Sequence, residues 1–301
     1  MLVMHNSSQR EFILTPIASI LRDTVTACNG IGHGIETQSL AEYVLQTTFL
    51  KMTGAQEQKL KCICWDMATN DFDYRYQYLK KNYGECSSYE DKCSIYRDLV
   101  KMIIKLEPEF SVAMLFGNID ISAKENEFIE KRIKDTQKNQ EKKKGRKLND
   151  VEAQKLSDGM RAHWAKNGIC EKERANFSRI VLFESMQDLV DGIVGNTMVA
   201  QWEQHNYQNY VVNWRGLASG RFATGDVLLD KDYQDLYMNV VYKHRNRCAH
   251  NLASFQSNLP TLKTLTEEDF VYDNYYYRFS LLLLLDEVFM QLYKAYIEAI
   301  G

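Results

Sequence analysis

The segment YYYRFSLLLLLDEVFMQLYKAYIEAI, residues 275–300, limits the possible folds of this chain more than any other stretch. It contains neither proline nor glycine, and its apolar residues spread over an unusually wide surface of the helix they would form. Such a helix must be covered from more than one side, by several neighbours or by a partner subunit. The run SLLLLL at 280–285 meets Asp286 and Glu287 at once. It falls far short of the roughly 20 apolar residues that cross a bilayer, so the segment reads as a core helix and no membrane association is expected.

The rest of the chain supports the same class. Only three prolines and fifteen glycines occur in 301 residues rich in Leu, Lys, Glu and Gln, a composition suited to long helices and poor in the turns a sheet-rich fold needs. The expected fold is all-α. A net charge of -3 means that any polyanion must be met by a local patch, because no global field would recruit it. MLVMHNSSQREFILTPIASIL lacks the basic start, clean apolar run and small-residue cleavage site of a signal peptide. Seven cysteines in a chain this large imply reduced thiols and a cytoplasmic location. Cys62-x-Cys64 and the Cys86–Cys93 pair do not form zinc knuckles, and no metal or cofactor is expected.

Apolar spacings of three and four residues predict a helical first third. Leu14, Ile17, Leu21 and Val25 share one stripe, and Leu40, Tyr43, Val44, Thr47 and Leu50 share the next. NGIGHGIE at 29–36 fits neither phosphate-loop pattern and reads as a helix-to-helix turn. EQKLKCICWDMAT and SIYRDLVKMIIKL supply further helices, ending near Pro108. From about residue 122 the chain becomes heavily charged, with the basic run KKKGRK at 142–147. The chain therefore divides into an N-terminal helical region at 1–121, a charged helical connector at 122–174 and a C-terminal helical domain at 175–301. In the last, FSRIVLFESMQDLVDGIV at 177–194 puts Leu182, Met186, Leu189 and Ile193 on one stripe, with Glu184, Asp188 and Asp191 on another side. Arg215 and Arg221, in NYVVNWRGLASGRFATGD, read as part of a connector, with a substrate-facing loop as the alternative.

A further helix begins near Lys231 and carries YKHRNRCAHN at 242–251. At about 100° per residue Tyr237, Val241, Cys248 and Leu252 form its core stripe, and His250 lies about 180° from Val241. His244 sits beside the stripe, where a core histidine is a fair reading. Asn246 lies one turn before His250 on its face, whereas Arg245 lies nearer the stripe's edge. Arg245 and His250 would not meet on one straight helix. Either the helix ends or bends near Ala249, or both groups converge on something lying across it.

RNRCAH at 245–250 resembles the R-x(4-6)-H motif of the HEPN superfamily, in which RN-x-x-AH is a common form. The resemblance covers roughly 175–301, with the motif late in a helical domain and a long helix after it. It implies metal-independent RNA cleavage by a homodimer whose two Arg-His sets share one cleft. Arg245 would stabilise the phosphate, His250 would act as general acid or base, and Asn246 would orient the scissile group. His titrates near neutrality and Arg keeps its charge and planar donors, as 2′-OH attack requires. Arg247, Lys243 and His244 are candidate phosphate contacts, and Glu184 or Asp188 a candidate acidic addition. The implied function is an endoribonuclease of toxin or anti-phage defence type acting on RNA such as tRNA, with an antitoxin or a defence-complex subunit as a compatible partner. A catalytically silent HEPN-like interaction and dimerisation module is a second reading, and a polar helix end without further function a third.

Overall fold

The computed structural model describes residues 2–29, 31, 38–80, 86–194, 221–250 and 275–301. The fold is all-α. Helices α1 (Leu2–Leu14), α2 (Ala18–Cys28), α3 (Gln38–Asn70), α4 (Phe72–Lys80) and α5 (Tyr89–Leu106) are followed by a 3-10 turn at Val112–Phe116. Next come α6 (Ser122–Lys144), α7 (Asp150–Asn167) and α8 (Glu171–Val194). A short antiparallel hairpin, β1 (Phe222–Thr224) with β2 (Val227–Leu229), precedes α9 (Lys231–Leu236). A π-helical stretch, Tyr237–Tyr242, leads from α9 into α10 (Lys243–His250), and α11 (Tyr275–Ile300) closes the chain. Among the described residues the hairpin is the only β structure. The turn expected at 29–36 and the core position expected for Leu252 fall largely or wholly outside the described residues, as do Arg215 and most of its segment.

The chain forms two compact units, one of Met1–Leu115 with Phe183–Gly301 and one of Phe116–Leu182. The linear division at 121 and 174 maps onto space differently. Its first and third segments contribute to one unit, and its charged middle segment makes most of the other.

In the larger unit the cover that α11 requires comes from within the chain: α1, α3, α5 and the π-helical stretch pack against it. Leu281, Leu282, Leu283, Leu284 and Leu285 are all buried, although five consecutive residues point around the full circumference of a helix. Helix α3 is continuous for 33 residues and joins two predicted segments into one. Its buried stripe is Leu45, Phe49, Met52, Leu60, Ile63 and Met67, while Leu40 and Tyr43 are exposed. The face is rotated from the expected one because α3 also turns polar groups inward, toward α11. Gln56 Nε2 donates to Leu282 O at 3.2 Å, and Asp66 accepts from Tyr293 Oη at 2.6 Å. Lys59 Nζ reaches Asp286 Oδ1 at 2.6 Å. Asp286 also accepts from Ile17 N at 2.9 Å, so a carboxylate from α11 caps the start of α2. Burial pushes Asp286 up from the usual carboxylate range and Lys59 down from the usual amine range, and their mutual attraction opposes both shifts.

In the smaller unit α6 and α7 form an antiparallel hairpin. Gly145 ends α6 in the left-handed region at φ 64°, which a side chain would strain. Asn149 and Glu152 cap α7 reciprocally, the Asn149 side chain accepting from Glu152 N and the Glu152 carboxylate from Asn149 N. Phe128 packs edge-on against Trp164 and beside Phe177. The charged segment is thus an ordered pair of helices.

Candidate active site on α10

The helix bearing the motif starts from a firmly seated hairpin. Tyr96 Oη donates to Gly225 O at 2.9 Å, and Tyr89 Oη to Leu229 O at 3.3 Å. Asp230 caps α9 by accepting from Tyr233 N at 3.1 Å, and it also accepts from Arg221 N. Arg221 is therefore an exposed residue of the hairpin's base.

The π-helical stretch then changes which residues face inward. Lys243 N bonds to Met238 O, five residues back, so the wider turn buries neighbouring pairs: Leu236 with Tyr237, and Val240 with Val241. Arg278 Nε donates to Val240 O at 3.1 Å, satisfying a carbonyl within the irregular stretch. Tyr237, Val241 and Cys248 are buried, as their spacing predicts.

His244 belongs to the core, being 4% exposed. Its Nδ1 lies 3.2 Å from Arg247 Nη2, which can only donate. The neutral ring therefore carries its proton on Nε2 and donates to Tyr275 Oη at 3.0 Å. Phe49 meets the ring edge-on with centroids 5.0 Å apart. Burial holds His244 well below its ordinary pKa, and the charges of Arg278 and Arg247 lower it further. The phosphate contact expected of His244 gives way to a packing role, because its ring has no path to a substrate.

This histidine predicts a pH dependence. The folded pKa is depressed, so the unfolded chain binds the extra proton and stability falls as pH drops below about 6.5. One such group contributes a slope of up to about 1.4 kcal/mol per pH unit. Urea unfolding at pH 7.5 and 5.5 should show a smaller acid loss for His244→Gln than for the native chain. Equal losses would assign the acid sensitivity to other groups.

Arg245 is half-buried, and its Nη2 lies 3.3 Å from the Glu57 carboxylate of α3. Nη1 points to Asn246 Oδ1 at 3.4 Å. Beneath this pair lies Lys92 of α5, only 2% exposed, whose Nζ donates to Cys86 O at 2.8 Å and Ser87 O at 3.4 Å. Burial brings Lys92 down to about 8, with Arg245 lowering it further and Glu57 opposing the shift. Tyr237, fully buried, feels both Glu57 and Arg245. The guanidinium thus has a fixed root, and its five N–H groups exceed those that Glu57 and Asn246 take up.

The other predicted residues divide clearly. Asn246 and Arg247 are half-buried; Asn246 Oδ1 faces Arg245, whereas Arg247 turns to His244. Lys243 is exposed and donates to Asn239 Oδ1 at 2.7 Å. Glu184 adds negative charge beside Tyr233, and Asp188 is exposed. Tyr233 lies twelve residues before Arg245, about 18 Å along a helix. The acid that meets Arg245 is Glu57, which the sequence reading missed, and Lys92 was missed with it. For Glu57 the available signal was the polar run GAQEQKLK within a helix, where charged side chains interrupt the core spacing.

Helix α10 runs unbroken from Lys243 through Ala249 to His250, the last described residue before 275. Five residues apart, the α-carbons of Arg245 and His250 lie about 140° from each other around the axis. The side chain of His250 lies outside the described residues. A separate groove of about 1010 Å³ runs beside α1, α3 and α4, lined in part by Phe12, Trp65, Tyr78 and Leu79, and among the described residues its lining includes none of the motif. No family model matches the chain, nor does any curated protein or solved structure.

Proposed function

We propose that this protein is a metal-independent endoribonuclease of HEPN type, active as a homodimer in toxin or anti-phage defence. The observation that carries the reading is the anchoring of Arg245: Glu57 and Asn246 hold a fixed cation on the helix that ends in His250. RNA brings its own nucleophile. A base takes the proton of a 2′-OH, the oxygen attacks phosphorus, and the 5′-oxygen leaves with a proton from an acid. His250 fills a proton-transfer role, Arg245 bears the growing charge on the phosphoryl oxygens, and Asn246 orients them. Glu57 is a positioning residue for Arg245. Because Arg245 and His250 diverge around one helix, a second copy of α10 supplies the complementary group across a shared cleft. The products carry a 2′,3′-cyclic phosphate and a 5′-hydroxyl.

Incubation of the purified protein with total RNA and tRNA in EDTA, followed by end-group analysis, tests this reading. Cleavage leaving cyclic phosphate ends supports it. A folded dimer that leaves RNA intact, also when given extract from host or infected cells as a trigger, points instead to an interaction module.

A further inference from the structure

We infer that the tip of the α6–α7 hairpin, residues 138–147, is a docking surface for the RNA backbone. The inference rests on the ribonuclease reading for the identity of the polyanion, and on the charge distribution for its place.

That distribution is sharply uneven. Residues 122–137 carry four basic and four acidic side chains, and residues 148–167 carry three of each. Between them, residues 138–147 carry six basic side chains and one acid, Glu141. The whole chain has a net charge of -3, so this decapeptide at +5 leaves the remainder at -8. A polyanion is repelled on average by the rest of the chain and attracted at this tip.

The acids near the tip are already engaged. Glu141 accepts from Leu148 N at 3.1 Å. Glu152 holds Lys144 at 2.9 Å and Arg146 at 2.8 Å, and these cations pull its carboxyl down to about 2. Lys138, Lys142, Lys143 and Lys147 remain exposed. Lysines near a helix C-terminus offset the helix dipole, but that effect fades beyond the last turn. It accounts for neither Lys138, six residues before the end of α6, nor Lys147, which lies beyond it.

The tip, KNQEKKKGRK, contains no apolar side chain. It offers no aromatic anchor of the kind that dominates protein interfaces and no face that enters a membrane. Cations with two neighbouring amides, Asn139 and Gln140, suit phosphate and ribose contacts that are blind to sequence. The surface therefore captures RNA without choosing it.

The test uses the full chain carrying His250→Ala, with a fluorescent single-stranded RNA titrated at 50 to 200 mM salt. Changing Lys138, Lys142, Lys143 and Lys147 together to Gln should weaken binding at least tenfold at the low-salt end. The slope of log affinity against log salt should become shallower by about 3, from about 0.7 per lost contact. The four Arg replacements should retain both values, and circular dichroism should be the same for every variant. With His250 restored, the Gln variant should raise KM and leave kcat unchanged. Unaltered affinity and slope in the Gln variant overturn the inference, and so does failure of the native tip to bind RNA while it binds acidic protein or anionic vesicles. Tip-dependent binding by a chain that cuts no RNA upholds this inference and removes the ribonuclease reading alone.

Discussion

Alanine at His250 is expected to lower RNA cleavage by about 10²- to 10⁴-fold, the range that a positioned proton-transfer group contributes. Arg245→Ala should cost about 10²- to 10³-fold, as does loss of one donor aimed at developing negative charge. Arg245→Lys should recover little, because a single ammonium cannot both hold Glu57 and present a planar fork to a phosphate. Glu57→Gln keeps the shape and an acceptor but removes the charge, so its loss should be smaller and fall on kcat. Single-turnover cleavage of one defined RNA, with dimerisation followed by sedimentation, measures all four. Mixing His250→Ala with Arg245→Ala protomers adds a sharper check: a composite cleft that uses each group from a different copy regains part of its activity in the mixed dimer. Full activity in both single variants would falsify the assignment of this site.

Lys59→Ala should destabilise the fold by about 3–5 kcal/mol, the usual loss when one partner of a buried ion pair is removed. The side chains of Lys59 and Asp286 are 5% and 3% exposed, so neither solvent nor another cation can replace the missing charge. Asp286 then loses its counter-charge, with Ile17 N as its remaining hydrogen-bond donor. Its pKa, already raised by burial, rises further once the attraction of Lys59 is gone. The folded variant therefore binds a proton more tightly than the unfolded chain. Its deficit relative to the native protein should narrow as pH falls toward the Asp286 pKa and widen as pH rises through it. Urea unfolding of both proteins between pH 8 and 5 gives that difference directly. Combining Lys59→Met with Asp286→Leu should be milder than either single change, yet still costly, because Ile17 N at the start of α2 loses its acceptor. A Lys59→Ala chain as stable as the native one would show that the pair is not the polar centre of the core.

These two sites differ in how far local pattern reveals them. The helical class follows from periodicity and from the scarcity of proline and glycine, properties that act within a few residues. The breadth of the apolar surface on α11 likewise announces a helix covered on several sides. RNRCAH is legible because six consecutive positions on one helix carry the pattern, and the buried Tyr237, Val241 and Cys248 follow from the same rise and turn. The π-helical stretch is not legible, since it depends on how α9 and α10 seat against α11, where Arg278 takes up the carbonyl of Val240. Leu40 and Tyr43 form a plausible local stripe, yet they are exposed because α3 turns Gln56, Lys59 and Asp66 toward α11.

Local chemistry determined that the chain is helical, that one long helix lies in its centre, and that an arginine and a histidine share a helix end. Tertiary packing decided what those groups meet. Glu57 reaches Arg245 across 188 positions and Asp286 reaches Ile17 across 269. A helix specifies its own hydrogen bonds four residues at a time, but a buried charge finds its counter-charge only where the folded chain brings a distant segment alongside.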